Sequence, residues 1–361
     1  FKPVHVLRDS MGKRSRSRSA TQNGRLRSSE SIFSKAKVSV LNESCGFGVL
    51  LEASLTAQSL LDDVDVAQRL VELWCKSGGL LVIRSLPSLT AREFSAISEI
   101  FGELEPELDA SKRQYQVDGI PSVMRLGNTR DASGELTSVF AKDAPLPKDG
   151  SAQYRMDDRK PVWHTDQTYR KTPPIGSLLY CKQAPQEGGQ TCFADMRSAY
   201  SDLDAGTKQR FNNLECICSM THHDAKVRTW APDYPTTSAA QRLSNPPVRV
   251  PMVLVHPRTG SPSLYGLNSS TCHILPKGED VTQEALDKYE LEAFEDPSVQ
   301  REWRDLLPRV TSPHYTVVWQ WQPGDIALWD NRCTIHCATG FDDQAYTREM
   351  WRTTLAADAL P

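Results

Sequence analysis

The sequence predicts a mainly β fold with added helices, a β-sandwich or jelly roll, and three observations carry that prediction. From residue 124 onward the chain is a succession of short segments with strand character: "MRLGN", "PVWHTD", "GSLLYC", "QTCFAD", "VRVPMVLVHP", "SLYGLN", "YTVVWQW" and "DIALWDNR". Pro, Gly, Asn and Asp separate them, as turns would. Clear helical spacing of apolar residues, in contrast, is found before residue 103. Finally, 361 residues with 39% hydrophobic content suffice to bury the core of one large domain.

Residues 1–40, with "MGKRSRSRSATQNGRLRSSES", are rich in Ser and Arg, poor in acids and without apolar period, so they are expected to lie outside any packed core. Two readings of this segment stand, a disordered basic tail and an organelle transit segment. A single domain is then expected over residues 41–361, with order beginning near Val38. Val66, Leu70, Leu73 and Trp74 recur at helical spacing after Asp62 and Asp63, and Gly78 and Gly79 end that helix. "LLVIR" (80–84) reads as a short buried strand. Thr90 and Glu93 form a capping box for a second helix, which turns Phe94, Ile97 and Phe101 inward before Gly102. The polar stretch 131–160 lacks apolar period and has the length of a functional or disordered loop.

Charge excludes more than it suggests. Lys+Arg 42 against Asp+Glu 45 leaves a net of −3, which gives no global field toward nucleic acid or an anionic membrane. No apolar run reaches the ~20 residues needed to cross a bilayer. The expected partner is a small molecule, with neither nucleic acid nor membrane, and homo-oligomer formation is left open. Nine cysteines without repeated CxxC spacing read as reduced thiols of an intracellular protein. That places the chain in the cytoplasm, or in an organelle if the basic segment is a transit peptide.

The chemistry centres on "VWHTDQTYRKTPP". His164 and Asp166 are two residues apart, so on a strand both side chains would leave the same face and offer a metal one nitrogen and one oxygen. Of the remaining histidines, His5 lies in the tail, and His222, His223, His256, His273 and His314 have no partner motif nearby; each reads as a surface or core residue. His336 differs, because it closes "GDIALWDNRCTIH", which reads as one strand from a Pro-Gly-Asp turn. Two imidazoles and one carboxylate on one face of a metal leave the other face open. This suits non-haem Fe(II) in oxygenases, and zinc with an open position is the competing reading.

With these residues in place, the chain resembles the Fe(II)/2-oxoglutarate-dependent dioxygenases of the TauD/TfdA family, the taurine and 2,4-dichlorophenoxyacetate dioxygenases, over about residues 45–358. The family pattern runs HxD, then a Thr or Ser, then a distant His, then an Arg. Here it is met by His164 and Asp166, by Thr191 25 residues after Asp166, by His336, and by Arg348 12 residues after His336. The surrounding "HTDQTYRKTPPIGSLLYC", "GGQTCFADMR" and "WDNRCTIH" strengthen the match.

The resemblance implies an α+β, mainly β domain built on a double-stranded β-helix, a cupin-like jelly roll. It also implies that His164, Asp166 and His336 form the catalytic centre and hold Fe(II). Thr191 and Arg348 would hold the far carboxylate of 2-oxoglutarate, for which a guanidinium offers matching forked donors. O₂ would be the second cosubstrate, with substrate hydroxylation coupled to succinate and CO₂. Arg352, four residues beyond Arg348, occupies the position that in this family contributes to the anionic group of the prime substrate or supports the cosubstrate. The sulfonate-binding histidine of taurine dioxygenases is missing after "FGEL", where this chain reads "FGELEPELDASKRQYQ". That departure favours a carboxylate over a sulfonate, with Lys112 or Arg113 as a further contact. A taurine or sulfonate dioxygenase and a non-catalytic 2-oxoglutarate-binding relative are the alternatives within the family. A zinc hydrolase leaves Thr191 and Arg348 unexplained.

Overall fold

The structure is a computed structural model describing Phe33 and residues 36–357, apart from 85, 87, 107–109, 141–162, 229–235 and 293–296. Its strands, in chain order, are β1 (Lys37–Asn42), β2 (Phe47–Glu52), β3 (Leu80–Arg84), β4 (Gln116–Val117), β5 (Ile120–Gly127), β6 (Gly176–Gln183), β7 (Thr191–Asp195) and β8 (Leu214–Cys218). They continue with β9 (Val248–Pro251), β10 (Val253–Val255), β11 (Pro262–Leu264), β12 (Thr271–Pro276), β13 (Thr316–Trp319), β14 (Ile326–Asp330), β15 (Thr334–Ala338) and β16 (Glu349–Leu355). Helices α1 (Ala57–Leu61), α2 (Val64–Lys76) and α3 (Ala91–Glu99) lie near the N-terminus. Further on, α4 (Met196–Ser201), α5 (Ala205–Asn212), α6 (Met220–Arg228), α7 (Ala239–Ser244), α8 (Gln283–Glu292) and α9 (Pro297–Val310) surround the smaller sheets.

An eight-stranded sheet ordered β1-β2-β3-β14-β6-β16-β5-β4 faces a three-stranded sheet ordered β13-β7-β15, the two layers of a jelly roll. Its central strands are apolar on both faces, so they read as continuous hydrophobic runs, and each face has its own core. Leu81 and Ile83 of β3, Leu178 and Tyr180 of β6 and Trp351 of β16 pack outward against Val66, Leu70 and Trp74 of α2 and Phe94 and Ile97 of α3. Leu80 and Val82, Leu179 and Cys181, and Met350 turn the other way, onto Phe193, Val317 and Trp319 of the small sheet. On β16, alternation therefore sends even-numbered side chains into the space between the sheets. Arg348 and Arg352 share that parity.

The N-terminal helices form as expected. Asp63 caps α2 through the amides of Asp65 and Val66, and α2 buries Val66, Leu70 and Trp74. Thr90 and Glu93 make the capping box of α3. Other expectations need correction. Strand β1 starts at Lys37 and pairs with β2, and Phe33 packs against the helical core beneath Arg69, so packing begins inside the 1–40 segment. Residues 1–32 and most of the 131–160 stretch lie outside the described residues.

"DIALWDNRCTIH" is two strands in different sheets, because the Asp330 carboxylate accepts from the Arg332 amide at 2.9 Å and bends the chain. "VRVPMVLVHP" is likewise split at Met252: β9 pairs with β8 and β10 with β11. β8 and β12 were not anticipated; their order comes from pairing with each other, a tertiary effect that local pattern does not carry.

Candidate metal centre and cosubstrate site

His164 and Asp166 do not lie on a regular strand, contrary to the expectation from their spacing. His164 forms a single antiparallel bridge with His336. Each donates its backbone amide to the other's carbonyl at 2.9 Å. Asp166 opens the turn that follows, in which Gln167 has φ 52°, a left-handed conformation uncommon outside glycine. The turn is anchored from below. Thr165 Oγ1 donates to the Thr334 carbonyl at 3.3 Å, and Thr168 is hydrogen-bonded to Asn268 and Ser270 in a buried polar cluster. The geometry that periodicity assigned to pleating is thus produced by a bridge and a turn.

This brings three donor atoms to one point. His164 Nε2 and His336 Nε2 each lie 3.6 Å from Asp166 Oδ1, and the two rings stand 4.2 Å apart between centroids. Asp166 Oδ2 accepts a 2.8 Å hydrogen bond from Ser177 Oγ at the start of β6. One carboxylate oxygen is therefore held by the protein while the other faces both imidazoles. Burial opposes ionisation of Asp166, but the His336 and His164 rings and the Arg352 guanidinium hold its carboxyl well below the usual range. Burial, reinforced by His164 and Arg352, pulls His336 down to about 3 against the attraction of Asp166. The ring is neutral, with a lone pair available. Its orientation is set by packing on Trp329 and Phe193, at 4.7 and 6.1 Å between centroids, while Nδ1 has no hydrogen-bond partner among the described residues. Two imidazoles and one carboxylate converging within 4.8 Å fit an octahedral divalent ion such as Fe(II).

Thr191 and Arg348 lie on neighbouring parts of the same interior. Thr191 opens β7 opposite Ala338 of β15, and its Oγ1 accepts from Trp321 Nε1 at 3.0 Å. Because indole only donates, the threonine hydroxyl proton is left to point at another acceptor. Arg348 is buried, and its Nε donates to the Gly189 carbonyl at 3.2 Å. Its backbone amide donates to Asn128 Oδ1 at 2.8 Å, and Asn128 Nδ2 reaches the Asp343 and Tyr346 carbonyls, so one asparagine clamps the approach to β16. Gly127 precedes it at φ 129°, where a Cβ would sit 1.9 Å from the Arg348 carbonyl oxygen. Only glycine allows β5 and β16 to close there. Arg348 borders a cavity of about 240 Å³ with Val139, Phe140 and Phe341. Burial pushes the nearby Cys181 thiol up to about 12, so it offers Arg348 no competing anion.

Arg352 faces the same interior, and its Nε is buried without a hydrogen-bond partner among the described residues. Arg113 is exposed, and the Lys112 side chain lies outside the described residues. Sequence reasoning missed Ser177, Asn128, Trp321 and Trp329. It also passed over His223, whose ring stands 6.5 Å from that of His164 and whose Nδ1 lies 3.0 Å from Ser269 Oγ. The Gly-Asn pair in "MRLGN" carried a readable turn signal for Asn128; nothing local marked Ser177.

A second His/Asp group lies elsewhere. His256 Nε2 is 3.0 Å from Asp330 Oδ2, its Nδ1 accepts from the Arg258 and Thr259 amides, and Arg332 donates to both Asp330 oxygens. Its donors are already engaged.

A family model described as "Taurine catabolism dioxygenase TauD, TfdA family" matches residues 41–354. The chain is 35% identical over 235 residues to the (S)-phenoxypropionate/alpha-ketoglutarate-dioxygenase of Sphingobium herbicidovorans, covering 62% of this chain and 75% of that protein. It is 25% identical over 308 residues to the alpha-ketoglutarate-dependent 2,4-dichlorophenoxyacetate dioxygenase of Cupriavidus pinatubonensis, covering 83% and 94%. Among solved structures, AAD-2 in complex with Mn(II) and N-oxalylglycine matches with a TM-score of 0.60 at 22% identity, covering 89% of this chain and 97% of that one.

Proposed function

The chain belongs to the TauD/TfdA family and is an Fe(II)- and 2-oxoglutarate-dependent dioxygenase, and from that premise we propose that it hydroxylates a small organic acid held by Arg352. The observation that carries this reading is a guanidinium whose Nε is buried without a hydrogen-bond partner among the described residues, on the same interior face as the His164, Asp166 and His336 donors. An unpaired buried donor of this kind is costly unless a ligand engages it. Lys112 is a second candidate contact for the same anion.

When bound, Fe(II) with 2-oxoglutarate supplies activation of O₂, so that one oxygen atom enters a substrate C–H bond and the other enters succinate as CO₂ leaves. The residues of this chain bind and orient. His164, Asp166 and His336 hold the ion through Nε2, Oδ1 and Nε2, and Ser177 keeps the carboxylate turned so that one oxygen serves the metal. Arg348 and the Thr191 hydroxyl receive the far carboxylate of 2-oxoglutarate. The apolar wall of Leu179, Phe193, Trp329 and Met350 keeps bulk water from the reacting centre.

The relatives named above act, by their names, on aryloxy carboxylates. For this chain a carboxylate is favoured over a sulfonate, because a planar guanidinium pairs with a carboxylate in two parallel hydrogen bonds and the taurine-type histidine is missing. The test is succinate release across a panel of aryloxy, alkyl and keto acids, their methyl esters, alkyl sulfates and taurine. Acids should stimulate release most, and Arg352→Ala should remove that stimulation while iron binding persists. Esters equalling the acids, or taurine or alkyl sulfates exceeding them, would overturn the substrate assignment.

A further inference from the structure

A separate pocket of about 700 Å³ opens between the loop 170–175 and the β9–β10 segment, with Tyr265, Arg332 and Ala357 completing its wall. This volume is that of a small-molecule site. None of His164, Asp166, His336, Thr191, Arg348 or Arg352 lines it. Its floor is apolar, through Ile175, Val250 and Leu254, and Val255 at the edge is 61% exposed.

The charges around it are one-sided. Arg170, Lys171, Arg249 and Arg332 line the pocket, and among the described residues no carboxylate does. Three of these cations are already neutralised from outside it: Arg170 by Glu105 at 2.6 Å, Arg249 by Glu215 at 3.2 Å and Arg332 by Asp330 at 2.5 Å. Lys171 is exposed and forms no ion pair among the described residues. The pocket therefore presents a net single positive charge beside an apolar floor. A second polar group points to the same use. Tyr265 is 6% exposed with its ring in the core, yet its hydroxyl makes no hydrogen bond among the described residues. The oxygen itself is not buried, so it opens at the pocket wall as a polar group that a ligand can reach.

We propose that this pocket is a second ligand site, which takes a small amphiphilic monoanion: one carboxylate head on Lys171, and an aliphatic or aryl body on Leu254 and Val255 within reach of the Tyr265 hydroxyl. The three paired arginines shape the rim, while the single unpaired ammonium repels cations and matches one negative charge. A dianion would leave a charge uncompensated against the apolar floor.

Octanoate is the probe, titrated calorimetrically into the full chain loaded with Fe(II) and 2-oxoglutarate. Saturable binding is expected that survives in Arg352→Ala and weakens about tenfold or more in Lys171→Glu, a reversal of charge at the head position. Leu254→Trp, which fills the floor, should abolish it, and octylamine should not bind. Lys171→Glu lies on the surface and should keep the melting temperature and succinate release of the parent. The proposal is overturned by an absence of saturable binding, by octanoate affinity unchanged in Lys171→Glu, or by binding that vanishes in Arg352→Ala. The last outcome would place the acid in the dioxygenase site.

Discussion

Two buried groups of this molecule are made of the same residue types and do opposite things. His164, Asp166 and His336 bring three donor atoms to one point, with 3.6 Å between the Asp166 oxygen and each imidazole nitrogen. His256 and Asp330 approach to 3.0 Å, and Arg332 closes on the same carboxylate. In the first group the lone pairs converge on one point; in the second every one is spent on a neighbour. A histidine–carboxylate cluster is thus a metal site only where its donors are left over. Counting residue types would treat the two alike.

Removing one acid from each group separates their roles. Asp166→Ala should abolish succinate release and Fe(II) binding while the melting temperature stays within a few degrees of the parent, because a bridge and a turn position the site. Retained turnover with iron bound would remove Asp166 from the metal. Asp330→Ala should do the reverse and cost about 3–5 kcal/mol of stability, since it strands the buried Arg332 charge and the His256 ring. Denaturant unfolding would show it, and an unchanged midpoint would refute the structural role.

The acid response of the parent follows from the same pair. Although burial opposes it, Arg332 and His256 hold the Asp330 carboxyl below its ordinary value. A group depressed on folding contributes stability above its unfolded pKa, roughly 3.9 for Asp, and that contribution is lost as pH falls through the folded value. Asp330→Ala should flatten this part of the stability profile below about pH 4.

How much of this was legible before the structure differs between the two groups. The three residues that converge at the candidate metal centre could be named from HxD and a distant His, and the shared face of Arg348 and Arg352 followed from strand alternation. The reason for the His164–Asp166 geometry was not legible, because it rests on a bridge to a residue 172 positions away and on Gln167 at positive φ. The second group escaped because His256 and Asp330 meet only after β10 and β14 are folded together. The Asp-Asn turn that splits β14 from β15 was visible in "WDNR", yet the apolar alternation around it outweighed that signal. Helices α2 and α3 were read correctly because caps and periodicity agreed.

A smaller effect is expected at the cosubstrate. Arg348→Ala should raise the half-saturating concentration of 2-oxoglutarate, since removing one side of a buried charge pair costs on the order of 2–5 kcal/mol. Arg348→Lys should recover part of it, as a point charge lacks the fork. Fe(II) affinity without cosubstrate should not move. An unchanged half-saturation in the alanine variant would mean that another cation holds the carboxylate.

The smallest effect tests the hydrogen bond that keeps the two groups apart. Asp330 has both oxygens committed to hydrogen bonds, whereas Asp166 has only Oδ2 committed, to Ser177 at 2.8 Å. That single bond keeps the metal site from resembling the closed one, because it fixes the carboxylate plane and leaves Oδ1 for the ion. Ser177→Ala removes it while shortening a fully buried side chain by one oxygen atom. The carboxylate can then rotate, and partners of this kind typically contribute 10–100-fold to metal affinity. An increase in the Fe(II) dissociation constant of about tenfold is therefore expected, with 2-oxoglutarate half-saturation at saturating iron unchanged and only a small loss of melting temperature. If iron affinity is unaltered in Ser177→Ala, the bridge and turn alone orient Asp166, and the hydrogen bond belongs to the packing of β6 rather than to the metal site.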